Sequence, residues 1–223
     1  MSFTVANKIP AGIAAVGVAV ASEGALPKGI SLSRKTLETL GFTGKVGQTY
    51  IVPADKGAIT ILVGIGENAK LTTETLRKAA AALARAASGF GSLATDLANA
   101  GRIDRKLAAQ VVVEGIALAS HRYTDLKTID KKAPKLSEVT IVGVGAALTA
   151  GVKRGVVIAT ATNMARDFAN MPPAHLTATM FANKAVEIAG ASGLKVEVFN
   201  KDQLIAMGCG GIVGVNRGSV EPP

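Results

Sequence analysis

Short, largely uncharged apolar runs recur along the chain, and most are followed by a segment whose apolar residues return every third or fourth position. The runs are Gly12–Ala21, Ala58–Gly64, Ser92–Leu97, Glu138–Gly143 and Gly211–Val215. Lys195–Phe199 adds a strand with clear apolar/polar alternation, and Thr49–Val52 a short β segment stopped by Pro53. Runs with no alternation are what fully buried strands require. Between them lie helix-period segments at Ser33–Leu40, Thr73–Ser88, Ile103–Ala119, Leu148–Asn170, Thr177–Ala189 and Asp202–Met207. Strands that alternate with helices pair in parallel, so the pattern predicts a layered α/β fold.

Local signals sharpen the helices. Leu76, Ala79, Ala80, Leu83 and Ala87 form one stripe of the Thr73–Ser88 helix, with Arg77, Lys78 and Arg85 elsewhere. Leu107, Val111 and Leu118 form the predicted inner stripe of the next. Gly41 suits a C-terminal cap and Thr177 an N-cap. Met180, Phe181, Ala185 and Ile188 are expected to face inward. Leu148–Asn170 makes a helix of about six turns, stopped by Pro172-Pro173 because the residue before a proline is pushed out of the helical region. Three regions follow: an α/β domain over 1–147, a connecting helix over 148–170, and a region over 171–223 too small for its own core.

The longest apolar run, Ile13–Ala21, is far below the roughly 18 residues of a membrane span. Lys8 before it and Ala19-Val20-Ala21 at its end have the outline of a signal peptide, but Pro10, Gly12 and Gly17 interrupt it. A buried strand is the better reading. One cysteine, Cys209, excludes an internal disulfide framework and a cysteine-cluster zinc site, and two histidines, His121 and His175, argue against a histidine-based one. Residues 1–165 carry 20 basic against 11 acidic side chains, whereas 166–223 carry five of each. Such a basic part suits a solvated surface, or contact with a phosphate-rich or acidic partner.

No catalytic constellation stands out from the residues themselves. Gly64-Ile65-Gly66 and Gly143-Val144-Gly145 both sit where a phosphate-binding turn belongs, but the third fingerprint glycine is replaced by Ala69 and Leu148. They read as tight strand-to-helix turns. Cys209, flanked by glycines, reads as a buried thiol rather than a nucleophile. His121 reads as a helix-end residue and His175 as a helix-entry residue. Asn163, Arg166, Asp167 and Asn170 share one face of the long helix, an arrangement suited to structural hydrogen bonds.

That face belongs to a more specific pattern. Asn163-Met164-Ala165-Arg166-Asp167-Phe168-Ala169-Asn170-Met171-Pro172-Pro173 resembles the segment that opens the catalytic domain of the leucyl (cytosol) aminopeptidases. Gly208–Val215, followed by Asn216-Arg217-Gly218-Ser219 and Pro222-Pro223, resembles that family's next block. Upstream, Val63-Gly64-Ile65-Gly66 leading into Glu74-x-x-Arg77, and Glu114-Gly115-Ile116 leading to Tyr123 and Lys127, are similar to its N-terminal domain.

The resemblance implies a macro-domain-like α/β domain, a connecting helix and the truncated start of a larger catalytic α/β domain. It implies a cytoplasmic peptidase that removes N-terminal residues, leucine favoured, with two divalent metals (manganese or zinc) and six subunits in stacked trimers. The family's metal ligands and catalytic residues fall beyond the Gly-Ser…Pro-Pro block. No catalytic, metal or cofactor residue is therefore expected within 1–223, and the chain alone is expected to be inactive. Residues 171–223 supply only Glu187, Glu197, Asp202 and Glu221 as carboxylates, with nothing to gather them. Alternative readings are an assembly domain, or a binding module for an ADP-ribose-like ligand or DNA. The DNA reading draws on Lys127, Lys131, Lys132 and Lys135, without the aromatic residues that stack on bases.

Overall fold

The computed structural model describes residues 1–54, 56–128 and 135–223. Two compact units result, Met1–Met164 and Ala165–Pro223. The first is built on a six-stranded sheet of β1 (Ser2–Ala6), β2 (Ala15–Ala21), β3 (Thr49–Val52), β4 (Ile59–Gly66), β5 (Ser92–Thr95) and β6 (Glu138–Val142). Its order is β1-β6-β5-β2-β4-β3. Every pairing is parallel except β3 on β4, so the sequence expectation of a parallel α/β sheet holds. β2 lies inside the sheet, with Ala15 opposite both Ile59 and Leu93, so the strand expected over Gly12–Ala21 is found at Ala15–Ala21.

The strands bury both faces. Ile61, Val63 and Ile65 of β4 point into the larger core beneath α2 (Thr73–Ala86) and α3 (Arg105–Ser120). Leu62 points the other way, onto Val20, Phe42 and Leu37 of α1 (Arg34–Thr39). This two-sided demand explains the unbroken apolar sequence. Thr72 caps α2 with a capping box, and Leu76, Ala79, Ala80 and Leu83 are fully buried along its inner stripe. Burying one leucine of this kind contributes about 2 kcal/mol.

α3 corrects part of the reading. Leu107 is exposed and Leu118 only partly buried, whereas Ala108, Ala109, Val111, Val112, Val113 and Ile116 are buried. The helix is packed on two sides, so a single stripe underestimates its buried face. Its second neighbour is α4 (Ala146–Asn170), where glycine allows the helices to touch. A Cβ on Gly151 would stand 2.2 Å from the Lys106 carbonyl oxygen, and one on Gly155 2.6 Å from that of Gln110.

Three further differences have physical reasons. β1 went unassigned because a five-residue edge strand, half polar, has little periodicity to read. Gly211–Val215 is not a strand: Gly210–Val215 is a helix, α7. A run of five apolar residues fits either structure, and only its surroundings decide. Lys195–Phe199 joins no sheet among the described residues. Lys131 and Lys132 lie outside the described residues.

The second unit holds the end of α4, 3-10 turns at Pro173–His175 and Asn216–Gly218, α5 (Ala178–Ser192), α6 (Lys201–Ala206) and α7. Thr177 caps α5 through Met180 N–H, as its sequence predicts. Asn200 and Gln203 form a reciprocal capping box on α6. Met180 and Phe181, expected inward, are exposed instead, with Phe181 edge-on to Phe168 at 5.5 Å. Among the described residues no helix is long and apolar enough to cross a membrane.

Candidate functional site

Ligands of parallel α/β sheets gather beyond the carboxyl ends of the strands, so the first site to build is that edge. After β2 the chain turns through Ser22, Glu23 and Gly24. Arg34 at the start of α1 holds this turn by donating to the carbonyls of Ala21, Ser22, Glu23 and Gly24, at 3.0–3.4 Å. One planar guanidinium with five donors can serve several acceptors at once. Glu23 crosses to the neighbouring strand end: Asn68 N–H donates to its Oε1 at 2.7 Å, and Ser22 Oγ to its Oε2 at 2.8 Å. Those two hydrogen bonds, the Asn68 one foremost, hold the Glu23 carboxyl below the usual carboxylate range. Nearby, Glu67 pairs with Lys70 at 2.9 Å, which raises the Lys70 ammonium above its ordinary value.

The first glycine pair is not a phosphate cradle. Gly64 and Gly66 lie within β4, where the Gly44–Lys45 backbone crosses so closely that a Cβ on Gly64 would stand 2.0 Å from the Lys45 carbonyl oxygen. Gly64 N–H donates to Gln48 O and Gly66 N–H to Gly44 O, at 2.8 and 2.9 Å. With those donors spent, the pair serves chain crossing. In the second pair, Gly143 N–H donates to Ala6 O at 2.8 Å, and α4 begins directly after Gly145. Asn99 donates to Val142 O at 3.2 Å and accepts from Arg105, so the ends of β5, β6 and α3 are linked.

At the end of β5, Asp96 keeps contact with solvent, yet partial burial pushes its carboxyl above the usual range. An open cleft of about 750 Å³ is lined by Asn68, Ala69, Leu71, Gly101, Arg102 and Ile103. Its lining contains one charged side chain and no nucleophile.

Two segments singled out in the sequence meet in the helix layer. Arg77 of α2 reaches Glu114 of α3 through Nε at 3.0 Å and Nη2 at 2.9 Å, and its Nη1 donates to Glu74 at 2.7 Å. Gln110 donates to the second Glu114 oxygen at 2.8 Å. Glu114 is only 5% exposed, so this pairing satisfies a carboxylate that would otherwise be costly to bury. Arg77 was placed off the apolar stripe, but its partner 37 residues away is invisible to local pattern.

Asn163 donates to Ala117 O at 3.5 Å, an interaction of the structural kind. Asp167 is partly buried, and Arg166 and Asn170 are exposed. His121 occupies the C-cap position of α3. His175, exposed in its 3-10 turn, borders a cleft of about 350 Å³ with Met171, Leu176, Met180 and the Lys184–Glu187 pair. Cys209 is a free, partly buried thiol at the start of α7. Glu197 is exposed, Asp202 sits in the first turn of α6, and Glu221 lies in the terminal tail. Among the described residues, no three His, Cys, Asp or Glu side chains come together as metal ligands.

Comparison with known proteins gives this arrangement a setting. Residues 20–130 match the profile described as "Cytosol aminopeptidase family, N-terminal domain", and residues 163–223 match "Cytosol aminopeptidase family, catalytic domain". A probable cytosol aminopeptidase of Rhodococcus opacus (strain B4) is 37% identical over 199 residues, covering 84% of this chain and 38% of that protein. The probable cytosol aminopeptidase of Chlorobaculum tepidum is 33% identical, covering 81% of this chain and 39% of that protein. The chain thus spans under two fifths of the length of these curated relatives. Among solved structures, the bottromycin maturation enzyme BotP superposes with a TM-score of 0.80 at 31% identity, over 94% of this chain and 44% of BotP. A tomato leucine aminopeptidase mutant superposes over the whole chain and 49% of its own, with a TM-score of 0.83 at 18% identity, a likeness of fold.

Proposed function

The chain belongs to the cytosol aminopeptidase family, and from that premise we propose that it supplies the N-terminal domain and the opening of the catalytic domain of an enzyme that releases N-terminal amino acids, leucine favoured, from peptides. The observation that carries this reading is the succession of two matches to one family on one chain, at 20–130 and then at 163–223. α4, which ends at Asn170 just before the Pro172-Pro173 stop, is read as the connector between the two domains.

The reading includes two divalent metals, manganese or zinc, a six-subunit assembly and a cytoplasmic location. BotP, at 30% identity, has been solved in complex with Mn, which supports a divalent metal for the enzyme as a whole. Among the described residues no group of side chains fits such a site. Glu187 is engaged with Lys184 at 2.6 Å, and the other carboxylates of the second unit stand on separate elements. The ligands, the catalytic groups and hence the chemistry are assigned to polypeptide outside residues 1–223.

The test is a matched pair of assays on a leucyl anilide with added manganese or zinc. Mass-verified residues 1–223 alone are expected to release no leucine. The same residues, continued by the part of the Rhodococcus opacus relative that the chain does not cover, are expected to release it in a chelator-sensitive way. Release by residues 1–223 alone, or none from the continued protein, would overturn the proposal.

A further inference from the structure

The carboxyl edge of the first unit's sheet contains a topological switch. β2 sends the chain to α1, which packs with Leu62 on one face, whereas β4 and β5 send it to α2 and α3, which pack with Ile61 and Val63 on the other. β2 lies between β4 and β5 in the sheet. Connections that leave neighbouring strands for opposite faces open a crevice between them, and open parallel sheets bind their ligands there. The cleft of about 750 Å³ is made by the two loops that follow β4 and β5: Asn68, Ala69 and Leu71 line it from the first, Gly101, Arg102 and Ile103 from the second. Its volume falls within the range of small-molecule sites, about 300–1,000 Å³.

The lining has the chemistry of an anion site on an apolar floor. Arg102 is its one charged side chain, and neither the Arg102 guanidinium nor the Asn68 side-chain amide has a hydrogen-bond or ion-pair partner among the described residues. The N–H groups of Gly101, Arg102 and Ile103 donate to no backbone acceptor among the described residues either. Lys70, in the first loop, is neutralised by Glu67 at 2.9 Å, which leaves Arg102 as the unpaired cation. Ala69, Leu71 and Ile103 supply carbon. A planar guanidinium that presents two parallel N–H donors matches a carboxylate or a phosphoryl group. No nucleophile lines the cleft, so its chemistry is binding and not reaction.

Both walls are fixed by the fold. Glu23 accepts the Asn68 N–H at 2.7 Å and so holds the first loop from the end of β2. Gly101, at φ +66°, lies so close to Leu71 that a Cβ would stand 2.6 Å from Leu71 Cδ2. α3 crosses from β5 to the parallel β6 and so runs back toward the amino ends of the strands. α4 follows it, with Gly151 at Lys106, Gly155 at Gln110 and Asn163 at Ala117. The last residues of the first unit therefore lie toward the amino edge of the sheet, away from the cleft. We infer that the cleft binds a small molecule carrying a compact oxyanion, a carboxylate or a phosphoryl group, on a short apolar body. The oxyanion meets Arg102, Asn68 and the amides of 101–103, and the body lies on Leu71 and Ile103. The inference does not depend on the aminopeptidase reading, because every residue in it belongs to one unit with its own core.

The experiment is a titration of residues 1–223 at constant ionic strength, followed by calorimetry and amide NMR shifts, with hexanoate, hexyl phosphate and, as the uncharged control, hexanamide. At least one anion is expected to bind saturably, with a Kd on the order of 1 mM or tighter for a fragment of this size, and to move the amides of Asn68, Ala69 and Gly101–Ile103. Hexanamide is expected to bind about tenfold more weakly or worse. Arg102→Ala is expected to weaken the preferred anion by about ten- to a hundredfold. Arg102→Lys, which keeps the charge and loses the fork, should weaken it by less. Arg102 is exposed, so both variants should melt as the parent does. Lys153→Ala, an exposed cation of α4, should bind as the parent does.

Tighter binding of hexyl phosphate assigns a phosphorylated ligand and tighter binding of hexanoate a carboxylic acid, and either sustains the inference. Saturation with neither anion, equal binding of hexanamide, unchanged affinity in Arg102→Ala, or an equal loss in Lys153→Ala overturns it. So does binding that disappears when residues 1–223 are continued by the uncovered part of the Rhodococcus opacus relative, because the cleft would then be a covered surface. Leucine release is read separately. Binding without release leaves the anion cleft standing and removes the enzymatic reading, while release without binding does the reverse.

Discussion

Residues 1–164 and 165–223 obey the same local rules and reach different ends. Both have capped helices: Thr72 and Ser33 in the first, Thr177 and Asn200 in the second. Only the first has a core. Of the second unit's apolar residues, Ala189 and Leu204 alone are buried among the described residues, whereas α2 by itself buries five. Capping and propensity are local and act within a few residues. Burial needs a second layer, and in the first unit the sheet provides it. The difference separates what capping and propensity set locally from what burial against a second layer adds.

Substitutions of matched size break or sharpen the contrast. Leu83→Ala, in the core beneath α2, is expected to cost about 2–5 kcal/mol, and Ile205→Ala in the second unit within about 0.5 kcal/mol. Urea unfolding followed by far-UV circular dichroism measures both, and equal costs would erase the distinction. Next in size is a pair of opposite sign. Gly151→Ala places a methyl against the Lys106 carbonyl and is expected to cost about 1–3 kcal/mol. Gly190→Ala meets nothing within 4 Å and is expected to favour α5 by about 0.5–1 kcal/mol. Thermal melts of the two variants should move in opposite directions.

Glu114→Gln weakens a pair whose Arg77 side chain is 33% exposed, so solvent compensates part of the loss. The expected cost is about 1–2 kcal/mol at neutral pH, read from the urea midpoint, with no effect on proteolysis within 165–223. A midpoint equal to the parent's would show that the network adds nothing.

Asp96 is the smallest case. Its folded carboxyl titrates above the unfolded one, so the folded state binds the proton more readily, and stability falls as pH rises from the unfolded value through the folded one. Asp96→Asn should thus gain slightly at neutral pH, within about 0.5 kcal/mol because Asp96 is partly solvated, and the gain should shrink toward pH 3. A gain that grows on acidification would reverse the sign of the argument.

Much of the first unit was legible because its constraints are local or repetitive. β2 and β4 declare themselves by apolar runs that only two-sided burial requires, and the α2 stripe reads off directly as Leu76, Ala79, Ala80 and Leu83. The illegible parts depend on distant chain. Arg77 meets Glu114, and Arg34 meets four carbonyls, through folding that no window of sequence contains. Gly64 looks like a phosphate-turn residue and proves to be a crossing point for Lys45. In the second unit Gly211–Val215 carries two glycines and three valine or isoleucine residues, too short a run to fix its own period. Lys195–Phe199 shows strand character in its alternation, but a ladder requires a neighbour, and none pairs with it among the described residues.

The register of β1 carries a consequence in time. Thr4 pairs with Thr140, so the first strand made is bonded to the last strand of its sheet, 136 positions later. At roughly 5–20 residues per second of synthesis, the ribosome needs on the order of 10 s to deliver that partner. During the interval Phe3 and Val5 have no sheet edge to join, although β2, β4 and β5 can already assemble. This rim of the sheet is therefore sealed only when β6 leaves the exit tunnel, and β1 must remain unclaimed until then.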